Sequence, residues 1–152
     1  MALSLIIILY VGVGVLSAVG TIAISTRRFS AKAEQIFYGL LLVPIAAIYL
    51  AFTAHFADND AWRLEGMAVA VFAVLALLGS RLSGLLMLGY ALHGGWDLIH
   101  EVFLHKGASG AGTPALTDIP LAYGAFCAAY DWCMVGYFYT RRIQWKSAWQ
   151  AR

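Results

Sequence analysis

The chain predicts an all-α fold, an integral membrane bundle of five transmembrane helices, and three observations point there. The 152 residues are 62% hydrophobic and 12% charged, half the charge of an ordinary soluble domain, and mean hydropathy is +0.77. Five apolar runs approach bilayer length. None of them shows the period-2 alternation of barrel strands, so helices are the remaining way to satisfy the backbone in lipid. The length suits a single domain over 1–152.

A hydrocarbon core of about 30 Å takes about 20 helical residues. The first run, Leu3–Ile24, has no positively charged residues before it and is longer than a signal peptide's apolar region, so it reads as a retained anchor. Gln35–Ala57 follows, with Pro44 expected to kink it. Leu64–Gly79 is the shortest run and its crossing is the least secure. Leu82–His105 carries most of the buried polarity. Ile119–Tyr139 is expected to start at Pro120, which suits a first helical turn. The stretch Lys106–Asp118 reads as a flexible loop, and Arg141–Arg152, with Trp145 and Trp149 among basic residues, as an interfacial helix. Small residues four apart (Gly14/Ala18, Ser17/Thr21, Gly124/Ala128, Ala125/Ala129) read as packing stripes.

With the N-terminus outside, eight basic residues lie on the inner side (Arg27, Arg28, Lys32, Arg81, Arg141, Arg142, Lys146, Arg152) against Arg63 and Lys106 outside. That asymmetry predicts a multi-pass protein of a cell inner (plasma) membrane with a cytoplasmic C-terminus. A net charge of +2, with its cations at segment ends, argues against nucleic acid. Cys127 and Cys133 are separated by about 9 Å of helix rise, too far for a disulfide.

The chemistry concentrates in His93-Gly94-Gly95-Trp96-Asp97-Leu98-Ile99-His100-Glu101. At about 100° per residue, Tyr90, His93, Asp97, His100 and Glu101 share one arc of roughly 100°, which must face the bundle interior because lipid does not tolerate it. Gly94 and Gly95 would let a neighbouring helix approach. On the last run Asp131 is the lone acid, with Tyr130 on the flank of its face. His55 and Glu65 should reach the outer level of His100 and Glu101, while His105 reads as solvated.

The spacing His93-x-x-x-Asp97-x-x-His100 projects ligands to one side of a helix, as in helical zinc sites. It leads to a candidate metal set of His93, Asp97, His100 and Asp131 for a divalent metal, zinc or iron. Asp131, Glu101 and Glu65 are the candidate catalytic groups, and Trp96, Tyr130 and Tyr90 the candidate substrate contacts. The function expected is a metal-dependent enzyme acting on a lipid or isoprenoid substrate. Two other readings stand beside it: a proton-relay or transport module, or an accessory subunit of a larger membrane complex. Purely structural pairing between helices would also account for the cluster. Expected partners are membrane lipids, a lipid-like small molecule and a second copy of the chain.

The combination of His93-x-x-Trp96-Asp97-x-x-His100 with Tyr130-Asp131-Trp132-Cys133 resembles an uncharacterised family of small bacterial integral membrane proteins. That resemblance implies a membrane fold and brings no activity with it. Looser likenesses to sterol-isomerase-type and alkaline-ceramidase-type membrane proteins lack a full motif match, so no residue role carries over.

Overall fold

The computed structural model describes residues 2–106 and 116–151, with 104–106 described by backbone only. The expectations for His105 and for the glycine-rich stretch after Lys106 fall outside them. The described residues hold five α-helices and no strand: α1 (Ala2–Arg28), α2 (Ala31–Phe56), α3 (Trp62–Gly79), α4 (Ser83–Lys106) and α5 (Tyr123–Gln150). Three of them, α1, α2 and α3, are long and apolar enough to cross a membrane. No disulfide joins Cys127 and Cys133, as their helical separation requires.

Helices α2 to α5 form the body of the bundle, with α4 packed most extensively on α5 and α2 on α3, while α1 lies against α5 on the flank. One face of α1 keeps Leu5, Ile8 and Leu16 about two-thirds exposed, the pattern of a helix with one side in lipid. Its other face is held close by Gly14, where an added Cβ would run into the carbonyl oxygen of Phe126 and meet Ala129 at 3.1 Å. Ala18, one turn on, is fully buried. The Gly14/Ala18 stripe is therefore a packing surface of α1 against α5, where it meets Ala129.

Ser30 caps α2 by accepting from the Ala33 N–H at 3.4 Å, and Pro44 sits inside this helix. Pro120 is not in the first turn of α5 as expected. It precedes the helix, and its carbonyl accepts from the N–H of Tyr123 at 3.0 Å. Ala122, in the left-handed conformation at φ 61°, then turns the chain into α5.

The tail is likewise not a separate interfacial helix, since α5 runs unbroken to Gln150. The cause is Glu34, a fully buried carboxylate at the start of α2. It accepts from Arg141 Nε at 3.1 Å and Nη2 at 2.6 Å, from Trp145 Nε1 at 2.9 Å, from Ser25 Oγ at 3.4 Å and from the Tyr137 hydroxyl. A multiply bonded carboxylate of this kind draws the basic, aromatic end of α5 into the bundle instead of releasing it to the surface. Around it Tyr38, Phe138 and Trp145 pack ring on ring, with centroids 4.9 to 6.4 Å apart.

Two outcomes follow from this packing. Gly14→Ala should destabilise the folded chain by about 1–3 kcal/mol through overpacking, whereas Gly12→Ala, with nothing within 4 Å, should be neutral or better in thermal unfolding in detergent. Glu34→Gln leaves the Arg141 guanidinium without its counter-charge and should cost about 3–5 kcal/mol in the same measurement.

Candidate metal centre

Four helices meet at the buried polar cluster, and glycines set the distance between α4 and α5. On α4, a Cβ at Gly94 would sit 3.2 Å from Asp131 Cβ and 2.8 Å from Trp132 Nε1. On α5, a Cβ at Gly124 would strike the carbonyl of Asp97 and lie 2.9 Å from Glu101 Cβ. One glycine on each helix thus seats α4 and α5 together around the acids, the role expected of Gly94. Gly95 has nothing within 4 Å and plays no part in the approach.

The stripe predicted on α4 faces inward: Tyr90, His93 and Asp97 are fully buried, and His100 and Glu101 nearly so. His93 Nδ1 lies 2.7 Å from Asp131 Oδ2 and 3.2 Å from Asp97 Oδ2. From α2 the Tyr49 hydroxyl donates to Asp97 Oδ1 at 2.5 Å. From α3 the Phe72 ring packs edge-on against the imidazole at 4.8 Å. Ligand atoms of His93, Asp97 and Asp131 all lie within 4.8 Å of one another, so this buried group is one that could hold a metal ion. His93 Nε2, Asp97 Oδ2 and Asp131 Oδ1 are buried without a hydrogen bond among the described residues, the kind of vacancy that calls for an explanation in a packed interior.

The expected four-residue metal set narrows to three. His100 is turned away from the triad and spends both ring nitrogens elsewhere: Nε2 on Glu65 Oε1 at 2.8 Å and Nδ1 on the carbonyl of Trp96 at 3.0 Å. Glu65, fully buried on α3, also accepts from Trp96 Nε1 at 3.3 Å and from the backbone N–H of Thr117 at 3.2 Å. The segment 116–118 is therefore held, with Thr117 Oγ1 and the Asp118 N–H both donating to Asp58 Oδ2 at 2.9 Å. Glu101 accepts from the Ala125 N–H at 3.4 Å between α4 and α5. Neither glutamate belongs to the His93 group.

The aromatic candidates divide. Trp96 stays beside the centre, on Glu65 and His100. Tyr90 instead donates to the Tyr38 carbonyl at 3.0 Å and packs on Phe138, and Tyr130 packs half-buried against the same core. Both belong to the packing of the opposite half. His55 is exposed and stacks on Phe56, so α2 reaches the centre through Tyr49, not His55.

Tyr49 is the residue that sequence reasoning misses. Its ring stacks at 4.4 Å on His100 while its hydroxyl holds Asp97, so it touches both buried groups. The available signal is Tyr38, eleven residues earlier and on the same helical face, which is also fully buried.

No protein-family model, curated protein or solved structure matches the chain.

Tyr49→Phe removes the only side-chain donor to Asp97 Oδ1 among the described residues and should cost about 1–3 kcal/mol, the penalty of an abandoned buried acceptor. Tyr139→Phe, at an exposed position, should shift thermal unfolding by less than about 0.5 kcal/mol.

Proposed function

We propose that this chain is a five-span integral membrane protein, N-terminus outside and C-terminus cytoplasmic, whose His93–Asp97–Asp131 cluster is a divalent-metal centre of a membrane enzyme. The observation that carries the reading is the convergence of three ligand atoms, within 4.8 Å of one another, in a fully buried group. Two carboxylates and one imidazole meet with full burial, and no Lys or Arg among the described residues pairs with them. With the imidazole neutral and both carboxylates ionised, the group would carry two negative charges that a divalent cation would cancel. One nitrogen and carboxylate oxygens suit zinc or iron.

A divalent cation held there supplies a Lewis acid and acidifies bound water. The remaining work falls to the chain. Tyr49 fixes Asp97, and the His100–Glu65 pair stands ready, across the Tyr49 ring, to hold or accept a proton. An apolar groove of about 250 Å³ between α3 and α4 supports a lipid or isoprenoid substrate. Phe72 and Trp96 line it, and these same rings pack on His93 and His100.

A second reading, a proton relay, is favoured by one observation: Tyr49, Asp97, His93 and Asp131 form an unbroken line of short contacts. In liposomes, proton flux that falls at least about tenfold in Asp131→Asn would establish it; unchanged flux removes it.

The metal reading is tested by elemental analysis of chain purified without chelator. About one zinc or iron per chain is expected, falling at least about tenfold in His93→Ala and Asp131→Asn and unchanged in His55→Ala. Folded wild-type chain without metal, or His93→Ala retaining it, would end the proposal.

A further inference from the structure

A recess of about 320 Å³ opens at the end of the bundle opposite the Glu65–His100 pair, between the α3–α4 turn and the end of α5. Gln35, Arg81, Ser83, Gly84, Lys146 and Trp149 are among its walls. Its back is rigid. Gln35 is fully buried, donates to the Gly79 carbonyl at 2.9 Å and accepts from Trp149 Nε1 at 3.0 Å, which pins the indole in place. Arg81 then lies over that indole at 4.9 Å, and Lys32 at 5.6 Å.

Among the described residues these cations have no counter-charge. Arg81 and Lys146 make no ion pair or side-chain hydrogen bond among the described residues, and Lys32 reaches only the carbonyl of Ala151, at 3.2 Å. Glu34 is the one acid at this end among the described residues, and Arg141, Trp145 and Tyr137 already occupy it. Ser83 and Gly84, in the first turn of α4, line the same recess, and their N–H groups make no backbone hydrogen bond to the preceding turn. Positive side chains and the free N–H groups at a helix start add up to an anion-binding field. Beside the recess Leu82 is 56% exposed and Leu78 49%, so an apolar wall adjoins the charged one.

We propose that this recess binds the phosphate of an anionic phospholipid, the guanidinium of Arg81 and the ammonium of Lys146 holding the headgroup while the acyl chains lie along Leu78 and Leu82. The pairing of charge with an adjoining apolar wall is what selects a lipid over a free phosphate ester. Basic recesses on the cytoplasmic side of helical bundles suit such headgroups. The site shares no residue with the His93 centre, so metal content and lipid binding report on the two proposals separately.

The test is native mass spectrometry of the full chain in detergent, titrated with phosphatidylglycerol, phosphatidylcholine or glycerol 3-phosphate. Phosphatidylglycerol should bind at least about fivefold more tightly than phosphatidylcholine. The preference should shrink to within about twofold in Arg81→Gln/Lys146→Gln, fall partway in Lys146→Gln alone, and persist in the charge-matched control Arg63→Gln. Lys146 has no partner in the fold, so the single variant keeps the test sound if the double variant unfolds. Equal binding of the two lipids, or an undiminished preference in both recess variants, overturns the proposal. So does glycerol 3-phosphate displacing phosphatidylglycerol at equal concentration, which would make the site one for a soluble phosphate ester.

Discussion

The central constraint on this molecule is that Asp97 and Asp131 share one imidazole inside a bundle that admits no water-facing escape. Carboxylates on different helices with like charge repel, and in an apolar medium that repulsion is poorly screened. The architecture answers with distance control. Gly94 and Gly124 let α4 and α5 approach until Asp131 reaches His93 Nδ1 at 2.7 Å, which Asp97, one turn along α4, already faces at 3.2 Å. Tyr49 then orients Asp97 from α2, and Phe72 closes the α3 side. Without a positive charge at that point the close helix contact would be a liability, which is why the site and the fold depend on each other.

Polarity is divided between the two ends according to what each must hold. At the end bearing Glu65, His100 and Asp58, buried or half-buried acids capture the backbone and side chain of the 116–118 segment and hold it over the bundle. At the other end a single buried acid, Glu34, gathers α1, α2 and α5 through Ser25, Arg141 and Trp145. Having satisfied Glu34, that end retains an excess of cations, and Arg81 and Lys32 settle on the Trp149 face. The positive asymmetry along the sequence is therefore also an asymmetry of unmet charge in three dimensions.

Legibility followed the physics of each element. The α4 stripe could be read because five polar residues repeat at helical spacing within one segment, and burial in lipid leaves them a single direction to face. The burial of Asp131 could be read because an acid amid apolar neighbours in a membrane helix must turn inward. Tyr49 and Glu34 could not. A tyrosine in an apolar helix looks like any of the other seven, and its role depends on the rotation of α2, which the apolar pattern around it leaves open. The tail misled for a related reason. Arg141 and Trp145 have the composition of an interfacial helix, yet their preference reverses once a buried carboxylate lies within reach. His100 was placed by spacing in the metal set, but spacing on one helix says nothing of a glutamate waiting on another.

The two readings of the central cluster are linked by a single atom. His93 Nδ1 is hydrogen-bonded to Asp131 Oδ2 at 2.7 Å, with Asp97 Oδ2 3.2 Å away, so a proton is shared between the imidazole and the Asp131 carboxylate. A metal ion bound by the same three side chains would need that nitrogen lone pair and those oxygens, and so would displace the proton. Cation and proton thus compete for one place, and occupation by either relieves the same imbalance of charge. Such a competition would make the centre depend on both, while Asp131 Oδ1 and His93 Nε2, without a hydrogen bond among the described residues, leave directions from which a further ligand could be engaged. What distinguishes an enzyme from a relay here is then which of the two occupants the surrounding Tyr49, Phe72 and His100 hold in place.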